Sequence, residues 1–226
     1  MTARTLAAML VLWTPLPAAA QAPPPTPGWR TLSFAPASDG NSIALSAGAL
    51  SADGISLASL IALAYDVPES RLVAPSEITG PRYAVTAIAE HTDRSEFRLL
   101  LRQALADRFG IATHLGKRLL DVLVIGRAPV DPALRASGNS EGLDGRPGGL
   151  SGEGTLGAIT RFLEREFEAP IVDESGLTGS YVVNLLWEPR DVKSLAAALK
   201  NRFGLELTRD RRELDVLMVE RVPPRD

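Results

Sequence analysis

Five side chains stand out as able to make a site: His114 and two charged pairs, Arg118 with Asp121 and Arg212 with Asp215. A histidine titrates near neutral pH and can ligate a metal or shuttle a proton. An arginine paired with an aspartate can line a surface that reads a ligand or a partner. The pairs share one spacing, but three residues apart on a strand puts arginine and aspartate on opposite faces, so neither pair closes within its own strand. The structural expectation is solvent-facing charges or cross-strand charge contacts; the functional one is an arginine-lined ligand or partner surface repeated by internal symmetry.

Other chemistry is thinly represented. His91 lies in a polar loop, and neither histidine has acidic or imidazole neighbours at metal-ligand spacing. Ser33, Ser151 and Ser175 lack the strained turn of a nucleophilic serine. Gly145, Gly148 and Gly149 make a glycine-rich stretch without the lysine or strand-to-helix frame of a phosphate loop. Asp173 and Glu174 beside Gly176 lack the further oxygen ligands a calcium loop needs. No metal, cofactor or catalytic residue is therefore assigned.

The charged pairs belong to a stretch written twice. Residues 101–129 recur 94 positions later as 195–223, without a gap, through Leu101/Leu195, Ala104/Ala198, Phe109/Phe203, Gly110/Gly204, Arg118/Arg212 and Asp121/Asp215. The similarity extends upstream, where Ser56 and Thr155 are placed to cap helices over 57–66 and 156–167. Leu57, Leu60, Ile61 and Ala64 in the first, and Leu156, Ile159, Leu163 and Phe167 in the second, keep helical spacing. Glu164, Arg165, Glu166 and Glu168 then read as a solvated helix face.

Strands are expected from Tyr83 and Tyr181, then helices over 95–108 and 192–202 ending at Gly110 and Gly204 in the left-handed conformation. A closing hairpin is expected in each copy, 111–114 with 118–125 and 205–208 with 213–219. The predicted fold is α+β: two tandem βαββαββ units, with small mixed sheets and helices packed on them. The units span 48–129 and 148–226, joined by a linker over 130–147 rich in Gly, Ser and Asp. Residues 21–47 read as a proline-rich leader followed by strands at 29–36 and 43–45.

Residues 1–20 have the form of a secretory signal peptide: Arg4, a short apolar core over 6–16, and small residues before the expected cut after Ala20. No later apolar run is long enough to span a bilayer. The expected location is periplasmic or secreted, and the absence of cysteine is compatible with export. With a net charge of -3, no basic stripe and 5% aromatic residues, nucleic acid is not an expected partner.

The order of elements over 162–219, through Leu177-Thr178-Gly179, Leu195, Ala198-Leu199 and Phe203-Gly204-Leu205, resembles the secretin/TonB short N-terminal domain. Nearly the whole chain after residue 20 is similar to a large uncharacterised family of secreted bacterial proteins expanded in soil bacteria. That similarity is carried by Leu32–Pro36, 56–65, 105–110, His114, Arg118 and 172–181. The chain departs from the resembled family at 74–78, where relatives often have Gly-Gly-Pro and a tryptophan, and at Val122, where they often have a tyrosine. Some relatives resemble the outer part of BlaR-type sensors, which implies sensing. The functional expectation is a non-catalytic binding or interaction module of the envelope, its partner another envelope protein or a second copy. A hydrolase whose site assembles only on folding, and a purely structural tandem domain, are the alternatives.

Overall fold

The computed structural model describes residues 28–37, 40, 42–90, 92–128, 135–138 and 142–222. The predicted signal peptide, the leader up to Pro27, and His91 lie outside the described residues. The fold is α+β: small sheets with five helices packed on them.

The N-terminal half contains β1 (Trp29–Pro36), β2 (Ser42–Leu45), β3 (Ala49–Ser56), α1 (Leu57–Tyr65), β4 (Leu72–Val73), α2 (Ser76–Thr79), β5 (Arg82–Ala89), α3 (Arg94–Phe109) and β6 (Ile111–Arg127). The C-terminal half contains β7 (Ala136–Ser137), β8 (Gly142–Arg146), β9 (Gly149–Thr155), α4 (Leu156–Phe167), β10 (Ile171–Asp173), β11 (Ser180–Leu186), α5 (Val192–Phe203) and β12 (Leu205–Arg221). Two four-stranded sheets, β1-β5-β3-β2 and β7-β11-β9-β8, belong to one half each; the third, β10-β6-β12-β4, belongs to both.

Local chemistry sets the helix ends. Ser56 Oγ accepts from Ser59 N at 2.9 Å and Thr155 Oγ1 from Ala158 N at 3.2 Å, each satisfying a first-turn donor left free by helix geometry. Thr92, Asp93 and Ser95 could each start α3; Asp93 does, in a reciprocal capping box with Glu96. Gly110 and Gly204 end α3 and α5 at φ 58° and 63°.

The closing hairpins are corrected. β6 and β12 are each a single strand of 17 residues, and they pair with each other, antiparallel, along their whole length. The turn residues misled for a physical reason. Gly116 makes no turn; a Cβ there would lie 2.7 Å from Met218 Sδ, so the glycine makes room for a neighbouring side chain. The polar residues at the supposed bends pair across the ladder instead, Asp121 with Arg211 at 3.3 Å and Lys117 with Glu213 at 3.6 Å.

The register of this ladder is symmetric under the 94-residue shift. The rung Arg118–Leu214 becomes Arg212–Leu120, and the rung Leu119–Glu213 maps onto itself. The outer strands follow suit: β10 joins β6 in parallel with Ile171 at Leu123, and β4 joins β12 in parallel with Leu72 at Leu217. Each half thus lends a strand to the other's core. Leu217 and Val219 pack among the N-terminal apolar residues, and Leu123 and Ile125 among the C-terminal ones.

The shared sheet is strongly coiled. The rungs holding β4 and β10 lie eight positions apart, roughly 26 Å in a flat sheet. Arg71, next to β4, nevertheless donates from Nη2 to Ile171 O at 3.2 Å. The concave face carries Val122, Val124 and Val216, all buried, with Leu120 and Leu214 half-buried; on the convex face between the two cores Leu115, Lys117, Leu119 and Asp121 are exposed.

The expected linker is partly strand. Ala136–Ser137 pairs with the start of β11, and Gly142–Arg146 pairs with β9. Glycine hides this in sequence because it carries no alternating pattern, yet close approach requires it. A Cβ on Gly145 would lie 2.0 Å from the Phe162 ring. Gly145→Ala is therefore expected to cost about 1–3 kcal/mol by overpacking, measured as a lower urea midpoint with an unchanged slope.

Candidate functional site

The coiled ladder separates the five candidate residues. Strand alternation puts His114, Arg118 and Arg212 on the concave side and Asp121 and Asp215 on the convex side. The fold therefore does not join His114 to those two carboxylates. His114 is exposed, in register with Met218.

Asp121 and Asp215 hold equivalent places in the register, and among the described residues only Asp121 of the two makes an ion pair, with Arg211. Asp121 stands opposite Arg211 and Asp215 opposite Lys117, the residue related to Arg211 by the 94-residue shift. The two arginines differ. Arg212 donates to Glu174 Oε1 from Nε and Nη2, both at 3.3 Å, and from Nη1 to Asp210 Oδ2. Those bonds, Glu174 first and Asp210 second, raise the guanidinium pKa above its ordinary value. The Asp210 carboxyl is held below its ordinary value, first by the backbone N–H of Arg211 and then by Arg212. Arg118 has neither acid beside it. Gly116 stands where Asp210 stands in the other half, and Pro75, three residues after Leu72, where Glu174 follows Ile171. Among the described residues Arg118, His114 and Asp215 make no side-chain hydrogen bond or ion pair.

The halves also meet at an ion pair that the sequence reading assigned to solvent. Glu164, placed above on a solvated face, has a side chain only 3% exposed. One oxygen, Oε1, accepts from Arg71 Nε at 3.1 Å, Arg71 Nη2 at 2.5 Å and Ile171 N at 2.8 Å. Arg71 and Glu164 thus grip both ends of the Ile171 residue, whose carbonyl takes the further bond from Arg71. This satisfies a buried carboxylate with charge-assisted donors, the condition under which one is tolerated. A usable signal existed: Glu164 follows Leu156, Ile159, Thr160 and Leu163 at helical spacing, so it falls on the buried stripe.

Beside this pair lies a cleft of about 700 Å³ between the halves. Asp53, Ser59, Glu69 and Arg82 border it from the N-terminal side, and Glu164 and Glu168 from α4. Ser59 Oγ donates to Glu69 Oε2 at 2.7 Å, and Arg82 Nε to Gly54 O at 2.7 Å, so several of these groups are held in place. Ser70 Oγ is buried there with no hydrogen-bond partner among the described residues. Among the described residues no group of three His, Cys, Asp or Glu side chains is arranged to hold a metal ion.

Ile43 also borders the cleft, from β2, an outer strand of its sheet. Ser46 N donates to Ala49 O at 2.8 Å, and rungs alternate, so Ala44 and Ser42 bond to β3 while Ile43 and Leu45 turn their backbone N–H and C=O outward. Their side chains are 56% and 37% exposed. Among the described residues, one edge therefore presents free main-chain groups and two apolar side chains from the same residues.

No helix among the described residues is long and apolar enough to cross a membrane. No curated protein and no solved structure matches the chain. Residues 58–222, from the start of α1 to just past β12, match the family described as "Protein of unknown function (DUF3738)". The shared ladder, both lent strands and the Arg71–Glu164 pair all fall within that span, and the chain belongs to this family.

Proposed function

We propose that this protein is an exported, non-catalytic binding module of the bacterial envelope that accepts an extended segment of another envelope protein as an added strand on β2. The observation that carries the reading is the outward-facing backbone of Ile43 and Leu45, two residues apart on a free edge beside the cleft. An incoming strand gains main-chain hydrogen bonds there and apolar contact with the two side chains. Of the carboxylates that border the neighbouring cleft, Glu164 and Glu168 are already paired with Arg71 and Arg190, while Asp53 and Glu69 make no ion pair among the described residues. The cleft suits a basic side chain from the same segment. Export rests on the signal-like N-terminus. The sequence resemblance to secretin/TonB short N-terminal domains and to the outer part of BlaR-type sensors supports an envelope role, and the 94-residue recurrence supports a tandem organisation.

The test is selection from a random decapeptide display library on the purified protein. The selected peptides are expected to alternate apolar residues and to carry a lysine or arginine. Bound, they should slow hydrogen exchange at the Ile43 and Leu45 amides. Ile43→Pro removes an outward donor without taking a rung from the β2–β3 ladder, and is expected to abolish that binding with the thermal midpoint maintained. Peptides that bind Ile43→Pro as well as the native protein, or protect amides elsewhere, would overturn the proposal.

A further inference from the structure

One half of the recurrence closes a space that the other leaves open. Tyr65 and Phe167 are the last residues of α1 and α4, each followed by a left-handed cap, Asp66 at φ 57° and Glu168 at φ 50°. In the N-terminal half α3 covers this helix end with two arginines. Arg102 sets its guanidinium 4.5 Å from the centre of the Tyr65 ring and donates from Nε to Ala64 O at 2.8 Å. Arg98 donates from Nη2 to Asp66 Oδ1 at 2.8 Å. The 94-residue shift turns Arg98 and Arg102 into Val192 and Ala196 of α5. Both are short, and among the described residues an open cavity of about 540 Å³ lies against Phe167 there.

Its walls are apolar: Leu123 from β6, only 4% exposed, Phe167 and Ala169 from the end of α4 and the turn after it, and Val192 from α5. Its charge comes from the ladder. Arg209 stands opposite Leu123, and Arg211 opposite Asp121. Arg211 Nε is 3.3 Å from Asp121 Oδ1, and the Asp210 carboxylate is taken by Arg212. Arg209 makes no side-chain hydrogen bond or ion pair among the described residues. The border of the cavity therefore carries one uncompensated charge among the described residues, and it is positive. The N-terminal half has the reverse arrangement: arginines on the helix, and Leu115 on the ladder in place of Arg209.

We infer that this cavity binds a small molecule with an apolar body and one carboxylate, the body against Leu123, Phe167 and Val192 and the carboxylate on Arg209. The volume falls within the range of about 300–1,000 Å³ typical of small-molecule sites, which combine apolar walls with a few polar groups. A guanidinium presents paired N–H donors that match a carboxylate, and Arg209 has all of its donors free for one. A neutral molecule of the same shape gains the walls without the arginine. The site shares no bordering residue with the cleft beside β2, so it stands apart from strand addition there.

Calorimetric titration of the full chain with decanoate and with decanol, both below the concentrations at which they aggregate, tests this. Decanoate is expected to bind at one site, about tenfold or more tighter than decanol, the difference that a hydrogen-bonded contact between charged groups supplies. Arg209 is exposed, so Arg209→Gln leaves the fold intact; it should lower decanoate to the affinity of decanol and leave decanol unchanged. Val192→Trp fills the cavity from its apolar wall and should abolish binding of both, with circular dichroism matching the native protein. Absence of saturable decanoate binding, equal affinity for decanoate and decanol, or an Arg209→Gln protein that keeps the native preference would overturn the inference. Ile43→Pro should bind decanoate like the native protein, so failure of this site and failure of strand addition on β2 are told apart.

Discussion

Residues 148–226 produced alone are expected to remain unfolded, and to fold when residues 1–147 are supplied as a second chain. Without β6, all 17 residues of β12 lose their antiparallel partner and β10 loses the strand it lies beside. The C-terminal core also loses Leu123 and Ile125, which are 4% and 0% exposed in the intact protein. Burying one such side chain contributes about 1.5–3 kcal/mol, and a single core below about 70–80 residues seldom supplies more than about 3–5 kcal/mol. The two losses together are enough to remove the folded state. Far-ultraviolet circular dichroism with thermal melting decides the matter: a cooperative transition from the fragment by itself would contradict the exchange of strands between halves.

The second large effect is expected at the buried ion pair. Arg71→Ala leaves Glu164 3% exposed, with the Ile171 N–H as its remaining donor. Removing one member of a buried pair costs about 3–5 kcal/mol; Arg71 is itself 29% exposed, so the expected loss is about 3 kcal/mol. Replacing both residues, Arg71→Met with Glu164→Met, removes the stranded charge as well. The double variant is expected to be within about 1 kcal/mol of the native protein. Urea denaturation of the two singles and the double measures this directly. Equal losses in single and double variants would show that the site depends on shape rather than on charge compensation.

Much of the local structure was legible because its causes are local. Ser56, Thr155 and Asp93 cap helices through contacts two or three residues away, and Gly110 and Gly204 stop them by backbone conformation. The α+β class follows from the same signals. The partners of β6 and β12 were not legible, because a strand's pattern marks its faces and says nothing about which edge it meets. A glycine and a run of charges looked like two turns, when one fits beside Met218 and the others pair across a ladder whose partner lies 94 residues away. β8 escaped notice because Gly142 and Gly145 leave no alternation to see. For the candidate residues, the sequence identified positions without their environments. Arg118 and Arg212 occupy equivalent points, yet only the structure separates the one held by Glu174 and Asp210 from the one left open.

The lending of strands has a consequence in time. The N-terminal half cannot complete its core until Leu217 and Val219 of β12 arrive, after every other element described above. Its contacts are of very long range in sequence, the kind that slows folding because a large loop must close before any packing rewards it. A chain emerging N-terminus first therefore stays open until β12 has been made. Until then the apolar stretches of the N-terminal half stay exposed and in need of protection.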